Sequence, residues 1–194
     1  MTASDALLAL RGVVAELERL GVRYYVGGSL ASSAFGVARA TLDADVVADL
    51  RPEHVALLTA ALEANYYVRS SMIAEAVARK SCFNVIHLAT SYKVDVFVLK
   101  DRPYDRVAME RTRKDLLDVA DPSAEFFLAS PEDTVLSKLE WFRLGDEVSD
   151  RQWRDVIGVL KVQGDRLDQA YLSRWAAELG LGDLLEKALR EASS

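Results

Sequence analysis

Apolar residues follow two different periods along the first hundred residues of the chain. Between residues 4 and 20, leucine and valine recur every three to four positions, which predicts a helix that Gly21 ends. Short runs rich in β-branched and aromatic residues occupy 24–26, 82–88 and 92–99, and such runs predict strands. Only three residues separate the last two runs, so we expect them to pair as a hairpin.

Further helices are predicted between these strands. A helix is predicted to begin at Pro52, because proline is favoured at the first helical position. The apolar pattern predicts that this helix ends at about residue 64. A shorter helix is predicted over 72–79, and residues 65–69 fit a strand between the two helices.

The pattern changes after residue 100. Residues 101–115 alternate basic and acidic side chains, which is typical of a solvated helix face. Short strands are predicted at 116–119 and 126–129. Ser130 and Pro131 then mark a strong helix start, with a cap, a proline in the first turn and acidic residues after it.

Helical periodicity dominates the rest of the chain, with helices predicted from Ser130 to about 145 and then from about 150, 168 and 182 onward. The whole pattern predicts an α+β fold, in which a mixed sheet with flanking helices is followed by a C-terminal helical bundle. We assign residues 1–125 to the core and residues 126–194 to a helical region packed on it.

Composition and charge narrow the class of protein. Of the 194 residues, 51% are hydrophobic, and no apolar run approaches the ~20 residues of a membrane span. Cys82 is the only cysteine and the N-terminus lacks a signal-like segment, which together predict a cytoplasmic protein. The net charge is −6, and residues 101–194 carry twenty acidic against fourteen basic side chains. This acidic half argues against broad, charge-driven binding of nucleic acid.

Two glycines interrupt the first predicted strand. Gly27 and Gly28 let the backbone turn tightly and bring another molecule close to the main chain. Ser29 follows where a helix is expected to begin, so its hydroxyl and the free N–H groups there suit an anion. This strand, turn and helix form a candidate phosphate-binding element.

Three aspartates lie on predicted strands. Asp43 and Asp45 are two residues apart, so a strand places both carboxylates on one face, where a divalent cation can relieve their repulsion. Asp95 shares one face of a later strand with Lys93 and Phe97, and it joins the pair if the two strands are neighbours. The alternative is that Asp95 is a surface residue of an edge strand.

The order and spacing of these motifs resemble the nucleotidyltransferase superfamily that includes DNA polymerase β. Thirteen residues separate Gly28-Ser29 from Asp43-x-Asp45, and an apolar strand bearing Asp95 follows. The resemblance covers roughly residues 20–100, with a weaker match that reaches into the C-terminal half.

The form of the acidic motif, Arg39-x-Thr41-x-Asp43-x-Asp45, is similar to abortive-infection type nucleotidyltransferase toxins and to minimal nucleotidyltransferases. The resemblance implies a nucleotidyltransferase-type sheet that binds an NTP with Mg²⁺ or Mn²⁺. The residues it implies as metal ligands and catalytic groups are Asp43, Asp45 and Asp95. Those it implies for the nucleotide are Gly27, Gly28, Ser29, Arg39, Thr41 and Lys138.

Three charged residues carry alternative explanations. Arg39 suits bidentate contact with phosphate, but an ion pair with a site aspartate explains it too. Lys138 matches a lysine that the family places near the triphosphate. The alternative is that it is an ordinary lysine exposed to solvent. If the Lys138 side chain is exposed and points at the triphosphate, Lys138→Ala should weaken NTP binding and leave the fold intact. Asp155 matches a position that the toxins fill with Asp, but a buried partner for Arg151 or Lys138 explains it equally well.

The function implied by the resemblance is transfer of an NMP from an NTP to a hydroxyl on tRNA or on a protein. A cognate toxin or antitoxin is the implied partner, and no membrane association is expected. An aminoglycoside-like small molecule is a third class of acceptor. The alternative is a nucleotide-binding or partner-binding protein that keeps the fold without turnover.

Overall fold

The structure, a computed structural model, describes residues 3–41, 43–117, 121 and 124–193. Within these residues the chain forms a mixed sheet and a set of α-helices. The strands are β1 (Tyr24–Val26), β2 (Asp43–Ala48), β3 (Tyr66–Tyr67), β4 (Cys82–His87), β5 (Lys93–Val98), β6 (Arg113–Leu116) and β7 (Glu125–Leu128). The helices are α1 (Ala3–Arg19), α2 (Gly28–Phe35), α3 (His54–Leu62), α4 (Ser70–Arg79), α5 (Pro103–Glu110), α6 (Pro131–Leu144), α7 (Asp150–Gln163), α8 (Gln169–Glu178) and α9 (Gly182–Ala192), with a 3₁₀ turn at Gly164–Arg166 after α7.

The strands are ordered β3-β4-β5-β2-β1-β7-β6 across the sheet. The two parallel pairs are β2 with β5 and β1 with β7, and the other neighbours are antiparallel. The predicted β4–β5 hairpin is confirmed, and β5 lies beside β2, as the proposed carboxylate site requires. The predicted α+β fold is confirmed.

The alternation of residues along β2 decides which side chains face the core. Ala44, Val46 and Ala48 are buried with the matching residues of β5, and α1, α3 and α4 pack in the same core. Asp43 and Asp45 turn to the opposite face. This opposite face is covered over β2 by α2, on which α6 and α7 pack.

A second hydrophobic core joins α5 through α9. Phe35, at the end of α2, packs against both cores and so ties the helical region to the sheet. The predicted start of α6 is confirmed, because the Ser130 hydroxyl accepts a hydrogen bond from the backbone N–H of Asp133 at 3.0 Å. Strand β7 begins at the predicted boundary between the two parts, and the division into 1–125 and 126–194 stays a prediction.

Helices α2 and α7 approach each other backbone to backbone at Gly36. A Cβ atom added to Gly36 would lie 2.9 Å from both the Val159 nitrogen and the Ser32 carbonyl oxygen. A Cβ atom on Gly158 of α7 would instead meet the Val37 nitrogen at 3.4 Å, an ordinary contact.

Three local predictions differ from the structure. The strand predicted over 65–69 is only the two-residue β3, and the strand predicted over 116–119 is β6, which begins at Arg113 and pairs with β7. Residues 118–120 lie outside the described residues. The expected solvated helix face over 101–115 is wrong in part, because α5 buries Tyr104 and Met109 and the segment continues as β6. In the last two cases, packing in the second core or pairing with a distant strand overrides local polarity.

No helix in the described ranges is long and apolar enough to cross a membrane.

Candidate active site

The parallel register of β2 and β5 brings the predicted aspartates onto one patch of the sheet. Asp45 lies opposite Asp95, and Asp43 lies opposite Lys93. Because β5 lies between β2 and β4, the edge-strand explanation of Asp95 is wrong. Asp43 and Asp45 line a cleft of about 640 Å³ between the sheet and the helices α2, α6 and α7.

Lys93 supplies a positive charge among these carboxylates. Its Nζ donates a hydrogen bond to Asp95 Oδ2 at 2.6 Å and lies 3.8 Å from Asp43 Oδ2. Hydrogen bonding to Asp95 raises the pKa of Lys93, so the ammonium stays charged. With the side chains in this arrangement, the described residues bring no three His, Cys, Asp or Glu side chains together as a metal-binding group.

Asp45 is the electrostatically strained member of the group. Burial first, then the charges of Asp43 and Asp95, raise its pKa to about 6, and the positive charges of Lys138 and Lys93 offset only part of this. A carboxylate held in this way is stabilised by any additional cation that binds beside it.

The glycine turn packs directly against Asp45. The Gly27 N–H donates to the Asp45 carbonyl at 2.9 Å, and Gly28 has a φ of +55°, a left-handed conformation that favours glycine. Helix α2 begins at Gly28, one residue before the expected start at Ser29. All three residues of the turn line the cleft, as the phosphate-binding prediction requires.

Gly28→Ala is expected to disrupt the site and to destabilise the fold. A Cβ atom there would lie 1.7 Å from Asp45 Oδ2, and the backbone would be strained as well. We expect a loss of roughly 1–3 kcal/mol in the free energy of unfolding, measured by urea denaturation. The matched control is Gly21→Ala, which shares a left-handed backbone (φ +68°) but has no atom within 4 Å of the added Cβ. Equal losses in the two variants would contradict a role for crowding at Asp45.

Arg39, Lys138 and Asp155 form one ion cluster beside the turn. The Arg39 guanidinium donates to Asp155 through Nε and Nη2, each at 2.8 Å, and its Nη2 also donates to Ser29 Oγ at 2.6 Å. Lys138 Nζ donates to Asp155 Oδ2 at 2.6 Å. Burial would raise the pKa of Asp155, but the hydrogen bonds from Arg39 and Lys138 outweigh it and hold the pKa below its usual value.

These contacts decide between several of the sequence-based alternatives. Arg39 pairs with Asp155, so the alternative of an ion pair with Asp43, Asp45 or Asp95 is wrong. Asp155 is a buried partner of Lys138, as one alternative held. Lys138 lines the cleft but is not a solvated lysine, because its side chain is only 7% exposed. The expectation that Lys138→Ala leaves the fold intact therefore loses its premise, since the substitution would break a buried ion pair.

Thr41 fixes the rotamer of the first aspartate. Its hydroxyl lies 3.1 Å from both the side-chain oxygen Oδ1 and the carbonyl oxygen of Asp43. Thr41 thus acts on Asp43 directly, and the nucleotide contact predicted for it stays a prediction.

Sequence reasoning missed the aromatic half of the cleft. Tyr25, Val47 and Phe97 form a row across β1, β2 and β5, two residues along the strands from Asp45. Trp141 of α6 lies over this row, with its ring centroid 5.8 Å from that of Phe97, and all four residues line the cleft. Trp141 is 48% exposed, so its ring is not buried in the second core. Alternation along β2 and β5 was the signal that places Val47 and Phe97 on the face of the aspartates.

Two buried polar atoms in the cleft wall have no hydrogen-bond partner. They are the hydroxyl of Thr134, which is 3% exposed, and Oε1 of Gln152. A buried polar group without a partner is costly, so both atoms are unsatisfied positions in the wall of the cleft. The sequence does not identify Thr134 and Gln152, because their burial depends on how their helices pack against the rest of the fold.

The raised pKa of Asp45 predicts a specific pH dependence of stability. A carboxyl with a native pKa of about 6 binds its proton more tightly than in the unfolded chain, so its contribution to stability falls as the pH rises between the unfolded and native values. From pH 4 to pH 7 this loss amounts to roughly 2–3 kcal/mol. Asp45→Asn removes it. The difference in unfolding free energy between Asp45→Asn and the wild type, measured with a chelator present, should therefore grow with pH, and a constant difference would contradict the assignment.

Comparison with known structures agrees with this architecture. An antigenic nucleotidyltransferase-like protein from Paracoccidioides brasiliensis matches with a TM-score of 0.55 and 16% identity, over 96% of this chain and 93% of its own. The antibiotic-resistance factor ANT(2'')-Ia, in complex with adenylyl-2''-tobramycin, matches with a TM-score of 0.52 and 13% identity, over 97% and 98% of the two chains. A lincosamide antibiotic adenylyltransferase with lincomycin bound matches with a TM-score of 0.51 and 13% identity, over 84% and 98%.

At these identities the likeness shows the fold, and the chain has the nucleotidyltransferase fold that the motifs predicted. No protein-family model and no curated protein matches the sequence.

Proposed function

We propose that the chain is a metal-dependent nucleotidyltransferase that moves an NMP from an NTP to a hydroxyl of an acceptor. The observation that carries this proposal is the convergence of three elements on one cleft. These elements are the glycine turn at the start of α2, the Arg39–Lys138 cation pair, and the carboxylates of Asp43 and Asp45.

The outer phosphates of the NTP bind at the glycine turn that precedes α2. Gly27, Gly28 and Ser29 line the cleft at the start of α2, and the N-terminus of a helix favours an anion. Arg39 and Lys138 carry two positive charges against the single charge of Asp155, which leaves one net positive charge beside the turn. Asp155 orients both cations and so acts as a positioning residue.

The carboxylate patch fits a divalent cation. Its donors are three carboxylates, the ligands that Mg²⁺ and Mn²⁺ prefer, and burial together with the charges of Asp43 and Asp95 already raises the pKa of Asp45. Asp43, Asp45 and Asp95 would hold the cation. When bound, such an ion neutralises charge on the transferring phosphoryl group and lowers the pKa of the attacking hydroxyl.

The chain itself positions the reactants. With the outer phosphates at Ser29, the α-phosphate lies over Asp43 and Asp45, and the acceptor hydroxyl approaches from the side of Asp95. Asp95 would receive the proton of that hydroxyl. The row of Tyr25, Val47 and Phe97 offers an apolar floor for a planar or ring-shaped group attached to either reactant.

Three classes of acceptor are consistent with this site. The motif resemblance favours a hydroxyl on tRNA or on a protein, such as a cognate toxin or antitoxin in the cytoplasm. The structural neighbours include proteins solved with adenylyl-2''-tobramycin or with lincomycin, which adds a small hydroxylated molecule as a third class of acceptor.

A transfer assay tests the proposal. The protein is incubated with each α-labelled NTP and Mg²⁺ or Mn²⁺, together with a tRNA pool, a protein extract, an aminoglycoside or a lincosamide in separate reactions. Label on any acceptor, lost on addition of a chelator, is the expected result. NTP binding without transfer to any of these acceptors would overturn the enzyme assignment.

That last outcome would support the alternative of a binding protein without turnover. The observation that favours it is the ammonium of Lys93 at 2.6 Å from Asp95, which engages one of the carboxylates needed for catalysis.

A further inference from the structure

Lys93 uses the carboxylate oxygens that the proposed cation requires. Its Nζ contacts Oδ2 of Asp95 at 2.6 Å and lies within ion-pair distance of Oδ2 of Asp43, at 3.8 Å. The β2–β5 register fixes this arrangement, because Lys93 is paired with Asp43 and lies two residues before Asp95 on the same face of β5. The lysine is thus built into the sheet between two of the three proposed ligands.

The other nearby lysine is engaged elsewhere. Lys138 donates to Asp155 and is buried, so it has little freedom to turn toward the aspartates. Lys93 differs, since its side chain is 41% exposed and carries a strongly hydrated ammonium on a flexible stem. It can leave the carboxylates for solvent at small cost.

We propose that Lys93 is a tethered counter-ion that competes with the divalent cation for the oxygens of Asp95 and Asp43. The inference rests on the proposed function only in requiring that these aspartates bind a divalent cation. Lys93 relieves the repulsion among the three carboxylates, and the cation must displace its ammonium to reach them. Such competition weakens the affinity for the cation alone, and phosphate oxygens that arrive with the cation help to overcome it.

The competition explains the arrangement of the aspartates better than an ordinary surface ion pair does. A surface pair engages one carboxylate, whereas the Lys93 ammonium lies near two, that of Asp95 on its own strand and that of Asp43, its partner residue on the neighbouring strand. With Lys93 so placed, the described side chains do not close around a metal position. Removing the ammonium frees one oxygen on each of two proposed ligands.

The test measures cation binding in the absence of nucleotide. Mn²⁺ is titrated into the full chain by calorimetry, using the wild type, Lys93→Met, Lys93→Arg and the control Lys161→Met, which changes an exposed lysine of α7. Lys93→Met keeps the length of the side chain and removes its charge. We expect it to bind Mn²⁺ roughly fivefold more tightly or better, while Lys93→Arg and Lys161→Met stay close to the wild type.

A thermal readout separates competition from a general gain in affinity. With a chelator, Lys93→Met should melt at a lower temperature than the wild type, because the aspartates lose their counter-ion. Saturating Mn²⁺ should then raise its melting temperature by more than it raises that of the wild type. Asp45→Asn in the Lys93→Met background should abolish the added affinity.

Each outcome decides the inference. Unchanged or weaker Mn²⁺ binding by Lys93→Met, or no binding by any variant, overturns it even if NMP transfer is found. Tighter Mn²⁺ binding by Lys93→Met that depends on Asp45 supports the inference about Lys93. If no acceptor is labelled in the transfer assay, the proposed function fails, but the role of Lys93 as a counter-ion is still supported.

Discussion

Asp45→Asn is expected to reduce NMP transfer by at least about 10²–10³-fold while the protein remains folded. Asp45 lies at the centre of the site, between Asp43 on its own strand and Asp95 on the next, and beneath Gly28. An amide keeps the shape of the side chain but carries no charge to balance a divalent cation. The measurement is the initial rate of label transfer from an α-labelled NTP at saturating Mg²⁺ or Mn²⁺.

The control for this experiment is Asp101→Asn, which changes a carboxylate that is 71% exposed and only loosely paired. It should leave the rate within about twofold of the wild type. A rate for Asp45→Asn equal to that of the control would contradict the metal-dependent mechanism.

Asp155→Ala is expected to lower the free energy of unfolding by about 3–5 kcal/mol. The substitution leaves Lys138 buried without its carboxylate, while Arg39, whose side chain is 25% exposed, can turn toward water. Because hydrogen bonds hold the pKa of Asp155 below its usual value, the contribution of this carboxylate is present at neutral pH and is lost as the pH falls through its native pKa. Urea denaturation at pH 7 measures the loss.

Two further variants make the result specific. Glu178→Ala breaks the exposed pair with Arg174 and should cost less than about 1 kcal/mol. The double variant Lys138→Met with Asp155→Leu replaces the buried pair by apolar groups and should recover much of the loss. A double variant no more stable than Asp155→Ala would show that the defect comes from packing and not from an unpaired charge.

The parts of the site that could be predicted are those encoded by neighbours in sequence. Alternation along β2 places Asp43 and Asp45 on one face, and the glycines require a turn before α2. The Ser130 cap with Pro131 likewise sets the start of α6. Each of these signals acts over a few residues, where backbone geometry leaves few alternatives.

The parts that could not be predicted depend on distant contacts. Arg39 and Asp155 are 116 residues apart, and nothing near either residue specifies the other. The burial of Lys138 follows from the packing of α6 against α2 and α7, which covers the polar side of the helix as well. Lys93 was placed on the right face, but its pairing across the sheet needed the β2–β5 register.

The close approach of α2 and α7 has a consequence for mutational tolerance. In a library of variants selected only for folding, position 36 should retain glycine almost exclusively, since any Cβ there meets backbone atoms at 2.9 Å that cannot swing aside. Position 158, on the facing helix, should accept alanine, and alanine there raises helix propensity. A survey of tolerated substitutions would therefore mark Gly36 as strictly as a catalytic aspartate, although its constraint comes only from backbone packing, against α7 and against the Ser32 carbonyl of α2.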